Sequence, residues 1–129
     1  MRAIDKIIIH HSESNHKEHD NIDTIRNWHM DRGFNDVGYH FFIRSDGRIE
    51  RGRKVSVVGA HCFGYNQTSI GICLHGDDIF TEDQFESLRI LIKFLRKTLH
   101  KPISIHGHCE FSDKSCPNFD YDREIISKL

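Results

Sequence analysis

The sequence predicts an α/β fold: a single domain with a central mixed β-sheet flanked by about three helices. Three observations carry that expectation. Short apolar runs rich in isoleucine and valine alternate with segments of helical period. An Asp-Gly pair between two apolar runs marks a hairpin, so at least one strand pair is antiparallel. The 129 residues suit one ordinary domain, with no repeat, linker or low-complexity tract to divide them.

Ala3 to His11 reads as a buried strand with "IIIHH" at its centre, and the polar "SESNHKEHDN" after it as a loop. Ile22 to Arg32 reads as a helix. Ile22, Ile25, Trp28 and His29 recur at near-helical spacing, Gly33 supplies the stop, and Trp28 is expected in the core against the sheet. "VGYHFFIRSDGRIERGR" is the hairpin, turning at Ser45, Asp46 and Gly47. "VSVVGAH" is expected as a short strand or extended segment, and "SIGICLHG" as another buried strand. Thr81 is a helix N-cap followed by Glu82, Asp83 and Gln84. Phe85, Leu88, Leu91, Ile92, Leu95 and Leu99 form that helix's apolar stripe, and Pro102 is the expected stop. "ISIHGH" reads as a strand and Asp120 to Lys128 as a final helix.

Bulk properties narrow the function. Eighteen Lys and Arg nearly balance nineteen Asp and Glu, so the net charge of −1 gives no reason to expect nucleic acid as a partner. No apolar run approaches membrane-spanning length, and "III" is too short for the core of a signal peptide. The expectation is synthesis in the cytoplasm without a signal peptide and no membrane partner. Four cysteines without a secretory signal favour metal binding or free thiols over disulfides. Cys73 reads as a buried small hydrophobe, and Cys62 as partly exposed.

The chemistry concentrates in "GHCEFSDKSCP", which places His108, Cys109, Lys114 and Cys116 within one short stretch. A His and a Cys seven residues on can converge on one ion if the loop doubles back, and zinc accepts both imidazole and thiolate. His10 ends an apolar strand, where a side chain can leave the core for a cleft, while His11 points to the opposite face. Three protein ligands from His10, His108 and Cys116 would leave a fourth tetrahedral position open, as in catalytic zinc sites. On spacing alone, His106 and Cys109 compete for the same role.

"IIIHHSES", "DVGYHFFIRSDGRIERGR", "GAHCFGYNQTSIGICLHG" and "GHCEFSDKSCP" occur in that order. Together they resemble the zinc-dependent N-acetylmuramoyl-L-alanine amidases, the family shared by bacteriophage T7-type lysozymes and peptidoglycan recognition proteins. The resemblance spans roughly residues 4 to 121. It implies one Zn2+ per chain on His10, His108 and Cys116, and catalytic roles for Tyr39 of "VGYHF" and for Lys114, two residues before the ligand Cys. It assigns His40 and His61 to the cleft, and Asn66 and Ser69 to a segment supporting the site and the substrate groove. Binding-only relatives have often lost the third ligand, so Cys116 points to catalysis. Cys109, where Arg is usual, and Asn118, where Gly is common, depart from the pattern without removing a ligand. The resemblance further implies that residues 1–129 form one catalytic domain acting as a monomer on a peptidoglycan or muropeptide partner. The lack of room for a wall-anchoring module fits an endolysin that reaches the cell wall after release. Competing readings are a non-enzymatic peptidoglycan-binding or regulatory protein on the same fold, a zinc hydrolase acting on another amide, and a muramidase, which needs paired carboxylates and for which Glu13, Asp36 and Glu110 lie nearby in sequence.

Overall fold

A computed structural model describes residues 2–129. Five strands form one sheet in the order β3-β2-β4-β1-β5. β1 (Lys6–His11) lies between β4 (Ser69–Leu74) and β5 (Ser104–Gly107) and runs parallel to both. β2 (Phe41–Ile43) runs parallel to β4, and β3 (Ile49–Arg51) pairs antiparallel with β2 at the edge. Parallel central strands covered on both faces read as continuous apolar runs, which is why "KIIIHH" and "SIGICL" show no polar alternation.

The two faces are filled differently. On one, α2 (Glu82–Leu99) lays Leu88, Leu91, Ile92 and Leu95 over Ile7, Ile9, Phe41, Ile43, Ile70 and Ile72 in the main core. Thr81 and Gln84 form a reciprocal capping box at its start. His100, in a left-handed conformation, ends the helix before Pro102 is reached. On the other face, α1 (Ile22–Asp31) packs Ile22 and Ile25 against Val37, Phe42 and Cys73. Because side chains alternate along a strand, Ile7 and Ile9 face α2 while His10 faces the α1 side. That second face is only partly covered, and the cleft lies there.

Three expectations change. Trp28 is 37% exposed and meets the edge of His19 instead of entering the core, because α1 buries Ile22, Ile25 and His29. "VSVVGAH" forms no strand; it bends past the sheet, with the Val55 carbonyl taken by the Arg2 guanidinium and the Ala60 amide by the Gly38 carbonyl. The final helix splits into α3 (Tyr121–Glu124) and a 3-10 turn at Ile126–Lys128, broken at Ile125. No helix among the described residues is long and apolar enough to cross a membrane.

Candidate active site

His10 is the penultimate residue of β1 and is almost fully buried. His108 follows the last residue of β5, the adjacent parallel strand, so both imidazoles emerge at the same end of the sheet. Their ring centroids are 4.5 Å apart. The loop after His108 turns back, and the Cys109 amide donates to the Cys116 carbonyl at 2.6 Å. This fold-back brings Cys116 Sγ to the His11 amide, which donates to it at 3.2 Å. One donor atom each from His10, His108 and Cys116 then lies within 4.8 Å of the others.

The competing ligands are engaged elsewhere. His106 Nδ1 is 2.8 Å from Glu110 and its Nε2 is 2.8 Å from Ser104 Oγ. Cys109 is exposed and outside the cluster. All four cysteines are free. Cys73 is fully buried, and Cys62, at 3% exposure, is buried rather than partly exposed.

The donor set suits a borderline-soft cation. Burial, then the neighbouring His61 and His108, hold His10 well below the ordinary imidazole range. Burial and Lys114 also lower His108, so both rings are neutral at pH 7 and free to act as donors. Burial pushes the Cys116 thiol up to about 12, and the His11 amide only partly offsets it. A cation at the cluster is what would bring this thiol to the thiolate form.

A cleft of about 470 Å³ opens over the cluster and is lined by His10, His108, Cys116, Tyr39, His61, Asn66 and Lys114. The Tyr39 ring is 5.0 Å from that of His10. Burial, reinforced by the Cys73 and Cys116 thiols, raises its phenol well above the usual value, so it remains a hydrogen-bond donor at neutral pH. His61 reaches His10 from the loop before β4, with 2.8 Å between His61 Nδ1 and His10 Nε2. Asn66 Oδ1 accepts from the amides of His61 and Cys62, both at 2.9 Å, and so ties down that loop.

Two sequence-selected residues lie off the cleft. Ser69 is fully buried beneath it. His40 is also fully buried: its Nδ1 accepts from the Gly71 amide at 3.0 Å and its Nε2 donates to the Val57 carbonyl at 2.8 Å. His40 supports the wall of the site and has no free atom for a substrate. Other lining residues were not singled out from sequence: His29, Arg32, Phe34, Phe63 and Ser112. The position of "RGF" between α1 and β2 was a usable signal, as this connection has to pass the cleft.

The carboxylates do not pair. Glu13 alone of the three lines the cleft. Asp36 is held by Arg26 at 2.8 Å and by the Val37 amide at 2.7 Å. Glu110 is taken by His106, the Gly107 amide and Tyr121. The two-carboxylate geometry of a muramidase is absent among the described residues of the cleft.

The sequence profile of the N-acetylmuramoyl-L-alanine amidase family matches residues 1–119. The chain belongs to that family. An N-acetylmuramoyl-L-alanine amidase hydrolyses the peptidoglycan amide of its name, and this chain is such an enzyme. The endolysin of Escherichia phage T7 is 40% identical over 130 residues, covering 94% of this chain and 85% of that one. The endolysin of Klebsiella phage KP32 is 38% identical over 126 residues, covering 92% and 83%. Among solved structures, the N-acetylmuramoyl-L-alanine amidase LysC from Clostridium intestinale superposes with a TM-score of 0.87 at 30% identity, covering 98% of this chain and 86% of that one. A Drosophila PGRP-LB variant in complex with tracheal cytotoxin superposes with a TM-score of 0.82 at 28% identity, covering 99% and 80%.

The amidase's buried imidazoles give its fold a pH dependence. Burial holds His40 to about 4, and burial with Arg32 and Arg53 does the same to His29, whose Nδ1 accepts from the Gly38 amide at 2.8 Å. The unfolded chain takes up these protons near the ordinary imidazole value of about 6.5, whereas the folded state refuses them until near pH 4. Stability should therefore be full above about pH 6.5 and fall as pH drops toward 4, with His40 alone contributing on the order of 3 kcal/mol. Urea unfolding of metal-free protein checks this. The midpoint should be clearly lower at pH 4.5 than at pH 7, and an unchanged midpoint would show that these rings are not buried neutral.

Proposed function

We propose that this amidase is an endolysin-type lytic enzyme that cuts between the lactyl group of N-acetylmuramic acid and L-alanine with one zinc ion held by His10, His108 and Cys116. The convergence of these three donors in a cleft also lined by Tyr39 and Lys114 carries the reading. Two imidazoles and a thiolate are a zinc donor set, and three protein ligands leave a position for chemistry. When bound, zinc supplies a Lewis acid for the scissile carbonyl and makes hydroxide available near neutrality.

The chain's own residues do the rest. The Lys114 ammonium stands at the cleft and offsets the charge that develops on the carbonyl oxygen as the centre becomes tetrahedral. Tyr39, kept protonated by its surroundings, donates a hydrogen bond within the site, where it can orient the attacking water or meet the departing amine. His61 and Asn66 shape the wall against which the muropeptide lies. Residues 1–129 act as one catalytic unit and as a monomer. The endolysin relatives support action on the cell wall after release, and the tracheal cytotoxin complex of a relative supports a muropeptide as the partner.

Digestion of purified sacculi tests the reading. Mass spectrometry should find free stem peptides with L-alanine amino termini and intact glycan strands. Chelation should stop the digestion and added zinc restore it. New reducing sugar ends without new amino groups, or activity indifferent to chelator, would overturn the proposal.

A further inference from the structure

A one-way series of hydrogen bonds runs from the cleft into the protein. The Tyr65 carbonyl oxygen can only accept, and Ser69 Oγ lies 2.7 Å from it, so the Ser69 hydrogen points there. Ser69 Oγ is therefore the acceptor toward His61 Nε2 at 3.2 Å, which places the N–H of His61 on Nε2. A neutral imidazole carries a single N–H, so His61 Nδ1 accepts, and the group facing it at 2.8 Å is His10 Nε2. His10 must then donate from Nε2, which leaves the lone pair on its Nδ1.

We propose that His61, oriented by Ser69, is a positioning residue that holds His10 in the Nε2–H tautomer and thereby presents Nδ1 to the metal. The inference rests on the zinc reading above and moves Ser69, and in part His61, from substrate contact to metal support. Ser69 is fully buried and has no route to a substrate. The His61 ring is also fixed from below: a Cβ at Gly71 would come within 2.5 Å of its Cγ, so only glycine leaves room for the ring on β4. Asn66 holds the His61 amide from the other side. Metal-ligating histidines are commonly oriented by a partner on the second ring nitrogen, and loss of that partner weakens metal affinity by about 10–100-fold.

Long-range proton–nitrogen NMR on wild-type protein should find His10 protonated on Nε2 both without metal and with zinc. Competition with a chromogenic chelator gives the zinc affinity. His61→Ala should weaken it by about 10–100-fold. His61→Asn, whose Oδ1 can stand where Nδ1 was, should recover most of that loss and guards against a mere folding defect. Ser69→Ala should cause a smaller loss that disappears in the His61→Ala background, because both residues act through one relay. His10 protonated on Nδ1, wild-type affinity in His61→Ala, or a Ser69→Ala effect undiminished in the double variant would each overturn the inference. If wild-type protein takes up no zinc, the proposed function falls instead, and the tautomer of metal-free His10 still decides this point.

Discussion

Cys116→Ser should lose its zinc, and with it all but a trace of amidase activity. Cys116 is the soft member of the donor set, it is 7% exposed, and its Sγ is already oriented by the His11 amide. A serine hydroxyl at this place is harder, shorter and far more reluctant to ionise, and two imidazoles alone do not hold the ion against a chelator. Lewis-acid assistance is worth several kcal/mol, so turnover should drop by more than about 10³. Metal analysis should give one zinc per wild-type chain and well under one per variant chain. His106→Ala is the control: that ring is committed to Glu110 and Ser104, so the variant should keep its metal. A Cys116→Ser protein with stoichiometric zinc and full activity would sink the ligand assignment.

Lys114→Ala and Tyr39→Phe should separate chemistry from metal binding. Neither residue belongs to the donor cluster, so both variants should retain zinc and still bind muropeptide. Loss of one group that stabilises the developing oxyanion typically costs about 2.7–4 kcal/mol, or roughly 10²–10³ in kcat. Lys114 is an exposed loop residue, so its removal should leave thermal stability close to wild type. Tyr39→Phe keeps the ring and its contacts with His10 and His29, and changes only the hydroxyl. Near-wild-type hydrolysis of peptidoglycan by both variants would make their roles structural.

Much of the fold was legible because the decisive signals are local. The Asp-Gly turn, the Thr81 capping box and the continuous apolar runs of β1 and β4 each fix their own element. The failures are places where a distant partner decides. Trp28 has helical spacing, but α1 turns Ile22, Ile25 and His29 inward, so Trp28 meets His19 instead. "VSVVGAH" has strand composition, but its backbone groups are claimed by Arg2 and Gly38. In the site, the sequence showed which residues can ligate, and the parallel pairing of β1 with β5 supplied the convergence of His10 with His108. Spacing alone could not rank His108 over His106; the side-chain partners of His106 do so. It also could not show that His40, next to Tyr39, turns inward to bond the Gly71 and Val57 backbone.

The sheet order has a consequence for how the molecule is made. β1 leaves the ribosome before either of its sheet neighbours, since β4 and β5 both come from later in the chain. Its isoleucines have no partner strand until residue 69 has been synthesised, and one edge stays open until residue 104. The nascent chain thus carries an unpaired apolar strand until β4 has been made, the kind of exposure that chaperones guard. The same order delays function. His10 is translated well before Lys114 and Cys116, so no nascent chain that stops short of Cys116 contains the complete cleft. Folding of the sheet and the appearance of activity should therefore wait for β5 and for the loop that carries Cys116.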